Sequence, residues 1–184
     1  MEKKLEILKS RIDALLTQKA RVIVAIDGKC TSGKTTLTGK LAEIYDCNVF
    51  HMDDFFLRPE QRTPERFAEA GGNVDYERFY EEVLQPLQTD MPFSYRPFQC
   101  ATFTMGDAIP VLPKQLNIVE GTYSLHPYFA DPYDLTVLLS VEPDTQRQRI
   151  LQRPERVHKP FFELWIPMEN VYLDKLHITA DLML

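Results

Sequence analysis

No apolar run in the chain approaches the length needed to cross a bilayer, and Met1-Glu2-Lys3-Lys4 is not followed by the long apolar segment of a secretory leader. The expected compartment is therefore the cytoplasm, with no membrane partner. Cysteine is scarce. Cys30, Cys47 and Cys100 are odd in number, far apart and unlike any zinc spacing, which excludes a disulfide scaffold and suits free thiols in a reducing compartment. Positive charge is in deficit: a formal net charge of −6 argues against a general nucleic-acid binder, which would carry a basic face, while leaving room for a local basic pocket. Repeats and low-complexity tracts are absent. What remains, 184 residues that are 44% hydrophobic and 26% charged, suffices for one domain over 1–184 with a sizeable core. Nothing in the composition selects an oligomeric state, and a homo-oligomer is compatible with it.

One stretch carries a recognisable chemistry. Gly28-Lys29-Cys30-Thr31-Ser32-Gly33-Lys34-Thr35 fits G-x-x-x-x-G-K-[ST], with the apolar run Val22 to Ile26 before it and a helical pattern from Leu37 to Tyr45 after it. A glycine-rich turn leaving a buried strand exposes successive backbone N–H groups, and the next helix adds the positive end of its dipole, so phosphate oxygens can be cradled there. Lys34 would reach the β- and γ-phosphates and the Thr35 hydroxyl would ligate Mg²⁺, with Thr36 completing the loop. The implied cofactors are ATP and Mg²⁺. Cys30 lies inside the loop, but the loop works through its backbone, so its thiol is incidental to that role.

Around this stretch the pattern alternates strand and helix. Leu5, Leu8, Ile12, Leu15 and Leu16 recur at helical spacing over 3–19. Strands are expected at 21–26, 47–52, 116–119 and 135–141, with a last one at 178–184; helices are expected at 144–152 and, mostly, over 161–176. That alternation predicts an α/β fold, a parallel sheet of about five strands sandwiched by helices, of the P-loop NTPase kind. Between 57 and 115 the chain is broken by Pro59, Pro64, Gly71-Gly72, Pro86, Pro92, Pro97, Pro110 and Pro113, so it cannot be one long helix. Helical pieces are expected at 63–70 and 76–84, and 91–105 alternates aromatic and polar residues as a hairpin or an extended arm would. This insertion is either a substrate wall or a solvated loop over a small satellite core.

Two acidic positions follow expected strand ends, Asp53 and Glu120, at the ligand-binding edge of an open α/β sheet. A kinase acting on a hydroxyl needs one carboxylate to orient the hydroxyl and accept its proton and another acidic group near the metal. Asp53 and Glu120 suit these roles, or else they cap turns. Arg147, Arg149, Arg153 and Arg156 cluster over 144–160; Arg149 and Arg153, four apart, share a helix face. They are either a lid that clamps transferring phosphates or a solvated basic helix paired with Asp144 and Glu155.

These stretches resemble the uridine kinase and nicotinamide riboside kinase branch of the P-loop kinases, which also includes phosphoribulokinase and bacterial pantothenate kinase. The resemblance rests on GKCTSGKTT over 28–36, on His51-Met52-Asp53-Asp54-Phe55-Phe56, on Asn73-Val74-Asp75-Tyr76-Glu77-Arg78-Phe79, on Val119-Glu120-Gly121 and on Arg149-Ile150-Leu151-Gln152-Arg153. It implies transfer of the γ-phosphoryl of ATP to a hydroxyl, with the 5′-hydroxyl of a nucleoside leading and nicotinamide riboside, pantothenate or a sugar phosphate following. It further implies Asp53 as the carboxylate that activates the acceptor, Glu120 beside the magnesium, Asp75 on the ribose hydroxyls, Tyr95 in the nucleoside pocket, and Arg149 and Arg153 as lid arginines. The histidine and arginine of uridine kinases have no counterpart in Phe98-Gln99-Cys100-Ala101-Thr102, and the family's segment near the adenine lies beyond the last strand, outside this sequence. A regulatory GTPase would need an Asn-Lys-x-Asp motif, which the chain lacks; a non-catalytic nucleotide-binding module would need no acid at position 53.

Overall fold

The computed structural model describes all residues, 1–184. Helix α1 (Glu2–Leu16) leads to strand β1 (Val22–Gly28), the phosphate-loop stretch and helix α2 (Lys34–Ile44), then to β2 (Cys47–His51). The insertion carries three short helices, α3 (Pro64–Ala68), α4 (Tyr76–Phe79) and α5 (Gln85–Leu87), and four short strands, β3 (Phe93–Tyr95), β4 (Phe98–Gln99), β5 (Thr104–Met105) and β6 (Ile109–Val111). The chain returns through β7 (Leu116–Glu120) and β8 (Leu135–Leu139), continues in α6 (Pro143–Leu151), α7 (His158–Pro160) and α8 (Ile166–Lys175), and ends in β9 (Leu182–Met183). No helix is long and apolar enough to cross a membrane.

Strands β2, β7, β1, β8 and β9 form one parallel sheet in that order. The α/β expectation of about five parallel strands flanked by helices is met. Every residue of β1 is buried, because both of its faces are covered. Val22, Val24 and Ile26 pack with Leu8 and Ile12 of α1 and Leu37 and Leu41 of α2; on the opposite face Ile23 joins Phe50, Phe55 and Phe79 under the insertion. The period-two alternation of a strand thus sends alternate residues into two separate cores. Parallel pairing also brings Gly28, His51 and Glu120 to one edge, since Ile26 and His51 both lie opposite Glu120.

The insertion is more regular than its prolines suggest. Strands β3 and β6 pair antiparallel, and β4 and β5 pair inside them, so 98–105 is a hairpin nested in a larger one over 93–111 rather than part of an extended arm. Helix α4 runs on through 80–84 to α5 with Pro86 inside the helical run. The widened π turn at 80–84 absorbs the missing N–H and the ring of that proline. The same device recurs at 161–165, just ahead of Pro167 in α8.

Candidate active site

β1 leaves the sheet through Gly28 (φ 138°), where a side chain would run into the Leu139 carbonyl of the neighbouring strand. Thr31 (φ 61°) and Gly33 (φ 100°) turn the loop a second time, and the first turn of α2, with no intrahelical acceptors for its N–H groups, points the dipole back into the concavity. The Lys34 ammonium crosses this loop, donating to the carbonyls of Gly28 at 2.7 Å and Lys29 at 3.1 Å. Free donors, a held lysine and a dipole end fit a polyphosphate.

The base of the loop is fixed by Asp27, which is fully buried. Its Oδ1 accepts from the N–H groups of Gly28 and Tyr123, and its Oδ2 accepts from Leu125 N–H at 2.9 Å and from the Tyr172 hydroxyl at 2.7 Å. One carboxylate therefore ties β1, the segment after β7 and helix α8 together.

At the neighbouring strand ends the Thr35 hydroxyl lies 3.2 Å and 3.3 Å from the two oxygens of Glu120, and His51 Nδ1 lies 2.6 Å from Glu120 Oε1. The Glu120 hydrogen bond is the leading cause that raises the His51 pKa, with burial opposing it. A hydroxyl and a carboxylate at one point form an oxygen donor set suited to a hard cation such as Mg²⁺. Asp53, in the short turn after β2, lines the same cleft with Cys30, Lys34, Thr35 and Glu120. Asp53 is solvent-exposed where it lines this cleft. Desolvation raises its pKa, the Glu120 charge adds to the rise, and Lys34 and His51 oppose it.

The structure thus brings Lys34, Thr35, Asp53 and Glu120 around one cavity of about 260 Å³, and Arg153 reaches the same cavity. Arg153 also borders an adjoining cavity of about 440 Å³ that shares Thr31, Lys34 and Thr35 with the first and adds Arg149, Gly33 and Thr36. Arg149 donates to the Thr31 carbonyl at 2.7 Å, and Arg153 stacks 4.9 Å from the centre of the Phe161 ring. Arg149 thus touches the phosphate loop, while both arginine side chains remain exposed to solvent. Of the remaining loop positions, Lys29 bonds through its carbonyl to Lys34, and Ser32 is buried.

Asp75 and Tyr95 are placed elsewhere. Asp75 is buried as the cap of α4, accepting from Arg78 N–H at 3.2 Å, and lies 3.4 Å from Arg78 Nε and 3.5 Å from a guanidinium nitrogen of Arg58. Tyr95 is buried in the core, stacked on Phe55, and donates to Asp54 Oδ2 at 3.4 Å. Neither borders the cleft, because the helix start that Asp75 caps and the β3 position of Tyr95 both turn inward; they brace the wall that carries Asp54.

Several residues of the cleft had no mark in the sequence. Glu169 of α8 is buried and accepts from Cys30 N–H at 2.9 Å. Phe56, Asn73, Tyr123 and Trp165 complete the lining. Phe56 and Asn73 sit inside stretches quoted above for the resemblance, so proximity to those motifs was the available signal; Glu169 and Trp165 have none, since only the fold brings the end of the chain back over the loop.

Cys30 has a half-buried thiol that desolvation and the Glu169 charge push up to about 12, and Gln146 contacts it at 3.3 Å. With so little thiolate near neutral pH, iodoacetamide at pH 8 is expected to label the exposed Cys100 well before Cys30 in the folded protein, as followed by peptide mass spectrometry. Equal labelling rates would show the loop to be open at Cys30.

No family model and no curated protein sequence matches the chain. Solved structures do. A structure described as that of a possible uridine kinase from Bacillus stearothermophilus superposes with TM-score 0.67 at 22% identity, over 96% of this chain and 98% of the other. A structure provisionally assigned as a fructose transport system kinase, from a Silicibacter species, gives TM-score 0.78 at 23% identity over 98% of both chains. D-glycerate 3-kinase from Cryptococcus neoformans gives 0.70 at 12% identity, over 99% of this chain and 91% of the other. The chain has the P-loop kinase fold that these structures share.

Proposed function

We propose that this chain is an ATP-dependent, Mg²⁺-dependent kinase that transfers the γ-phosphoryl group to a hydroxyl of a small molecule. The observation that carries the reading is Asp53: a carboxylate in the same cleft as Lys34, Thr35 and Glu120, with no hydrogen-bond partner of its own, stands where an acceptor hydroxyl would need a proton acceptor. A module that only binds nucleotide has no use for it. Magnesium, when bound, supplies charge neutralisation between the phosphates, and Thr35 and Glu120 would hold it or its waters. Lys34 and the loop amides bind the donor, Arg149 and Arg153 balance charge on the transferring group, and Asp53 aligns the acceptor and takes its proton.

Among acceptors, the motif resemblance and the likeness to a possible uridine kinase support the 5′-hydroxyl of a nucleoside; nicotinamide riboside, pantothenate and sugar phosphates share the reaction type. Asp75 and Tyr95 would act on a nucleoside only through Arg58, Arg78 and Asp54. The partner is a small molecule in the cytoplasm, not a nucleic acid or a membrane. The test is ADP release measured with ATP or GTP and a panel of hydroxyl acceptors. Stimulation by one acceptor is expected; nucleotide hydrolysis indifferent to every acceptor, or confined to GTP, would remove the kinase reading. In the active assay, Glu120→Gln is expected to raise the Mg²⁺ concentration for half-maximal rate by about tenfold or more. An unchanged Mg²⁺ requirement would take Glu120 out of the metal site.

A further inference from the structure

Beside the catalytic cleft lies a second pocket of about 410 Å³, within the size range of small-molecule sites. The two share Phe56, Asn73 and Trp165 as lining, so they adjoin one another. Its walls come from three distant parts of the chain: Phe67 of α3, Phe103 of the turn between β4 and β5, and Leu164 and Trp165 ahead of α8. These four are among the large apolar side chains the molecule leaves exposed, at 41%, 52%, 51% and 40%. Exposed apolar surface gathered from three segments into one concavity marks a binding site rather than stray surface.

The polar groups of this pocket are few and specific. Arg62 lies with its guanidinium carbon 4.8 Å from the Phe103 ring centre, donates through Nε to the Leu57 carbonyl at 2.9 Å, and makes no ion pair with a carboxylate of the chain. A cation in an apolar recess without a counter-charge favours an anionic ligand group. Asn73, at the junction with the catalytic cleft, keeps its amide oxygen buried without a donor. Such walls suit neither a pyrimidine, whose polar edge would be left largely unpaired, nor a bare polyol.

We infer that the acceptor is a hydroxylated compound with a flat or branched apolar body and a negatively charged far end, the body seated between Phe103 and Trp165 and the anion on Arg62. This rests on the kinase reading for the identity of the ligand as acceptor, and it departs from the nucleoside that the motif resemblance supports, because the apolar walls leave a base's polar edge unpaired. Trp165 is the only tryptophan, so its fluorescence reports occupancy without turnover. The probe is 4-(hydroxymethyl)benzoate, with benzyl alcohol as its uncharged counterpart and uridine as the polar competitor. Saturable quenching by 4-(hydroxymethyl)benzoate is expected, weakened about tenfold or more by Phe103→Asp at an exposed turn. Arg62→Gln is expected to weaken the benzoate while leaving benzyl alcohol unaffected. No saturable change with the benzoate, or uridine saturating at lower concentration and indifferent to Phe103→Asp, overturns the inference. The two readings fail separately. Quenching that obeys these variants with no ADP release stimulated by any acceptor removes the kinase assignment and upholds the ligand class. ADP release stimulated by uridine or D-glycerate and unchanged by Phe103→Asp upholds the kinase and removes this pocket from it.

Discussion

Asp53→Asn is expected to lower kcat by about 10²–10⁴-fold while nucleotide affinity is retained. Asparagine keeps the shape of the side chain and removes its charge and its ability to accept a proton. On the proposed reading the nucleotide is gripped by Lys34 and the loop amides, with which Asp53 makes no hydrogen bond, so binding of ATP by calorimetry isolates the chemical step from donor affinity. Its sequence neighbour provides the contrast. Asp54 accepts from the Tyr95 hydroxyl at 3.4 Å and sits where Arg78, bonded to its own backbone carbonyl at 3.0 Å, braces the turn. Asp54→Asn should therefore act through positioning and lower kcat by much less. Equal losses for the two variants, or unchanged turnover in Asp53→Asn, would take the base role away from Asp53.

That contrast was only half legible in the sequence. Asp53-Asp54 could be placed past a strand end from the apolar run 47–52, and Glu120 from the run 116–119, because a short apolar strand closed by an acid reads locally. The loop over 28–36 was legible for the same reason. What was not legible is which carboxylate faces the cleft. Asp75 lies in a quoted motif yet turns inward because it caps α4, and capping depends on where the helix begins, here just after the insertion's own turn at Gly71-Gly72. Tyr95 was assigned to the pocket through the family resemblance, and the aromatic alternation around it fits either face of a strand; β3 pairs with β6 so that Tyr95 goes to the core. Glu169 and Trp165 depend on α8 folding back over the loop, a contact between residues more than a hundred positions apart, which no local pattern carries.

Asp27, the residue just past the strand expected at 21–26, is the joint that ties β1, the segment after β7 and α8 together. Asp27→Ala is expected to destabilise the protein by about 3–5 kcal/mol, because one substitution leaves several buried donors without an acceptor. Three backbone N–H groups and the Tyr172 hydroxyl would lose their acceptor at once, in a place where water cannot replace it. The cavity is small; the unpaired donors decide the size of the effect. Tyr172→Phe removes one of the four donors and leaves the carboxylate three, so it should cost about 1 kcal/mol, in the range of a single hydrogen bond. The double variant should then be no worse than Asp27→Ala by more than the packing change, because the Tyr172 bond is already gone. Urea denaturation of the four proteins measures this coupling directly. If Asp27→Ala stays within about 1 kcal/mol of the parent, as for a surface substitution, the carboxylate does not hold the loop. If the losses simply add, α8 is anchored independently of β1, and Glu169 must reach Cys30 by packing alone rather than through this shared joint.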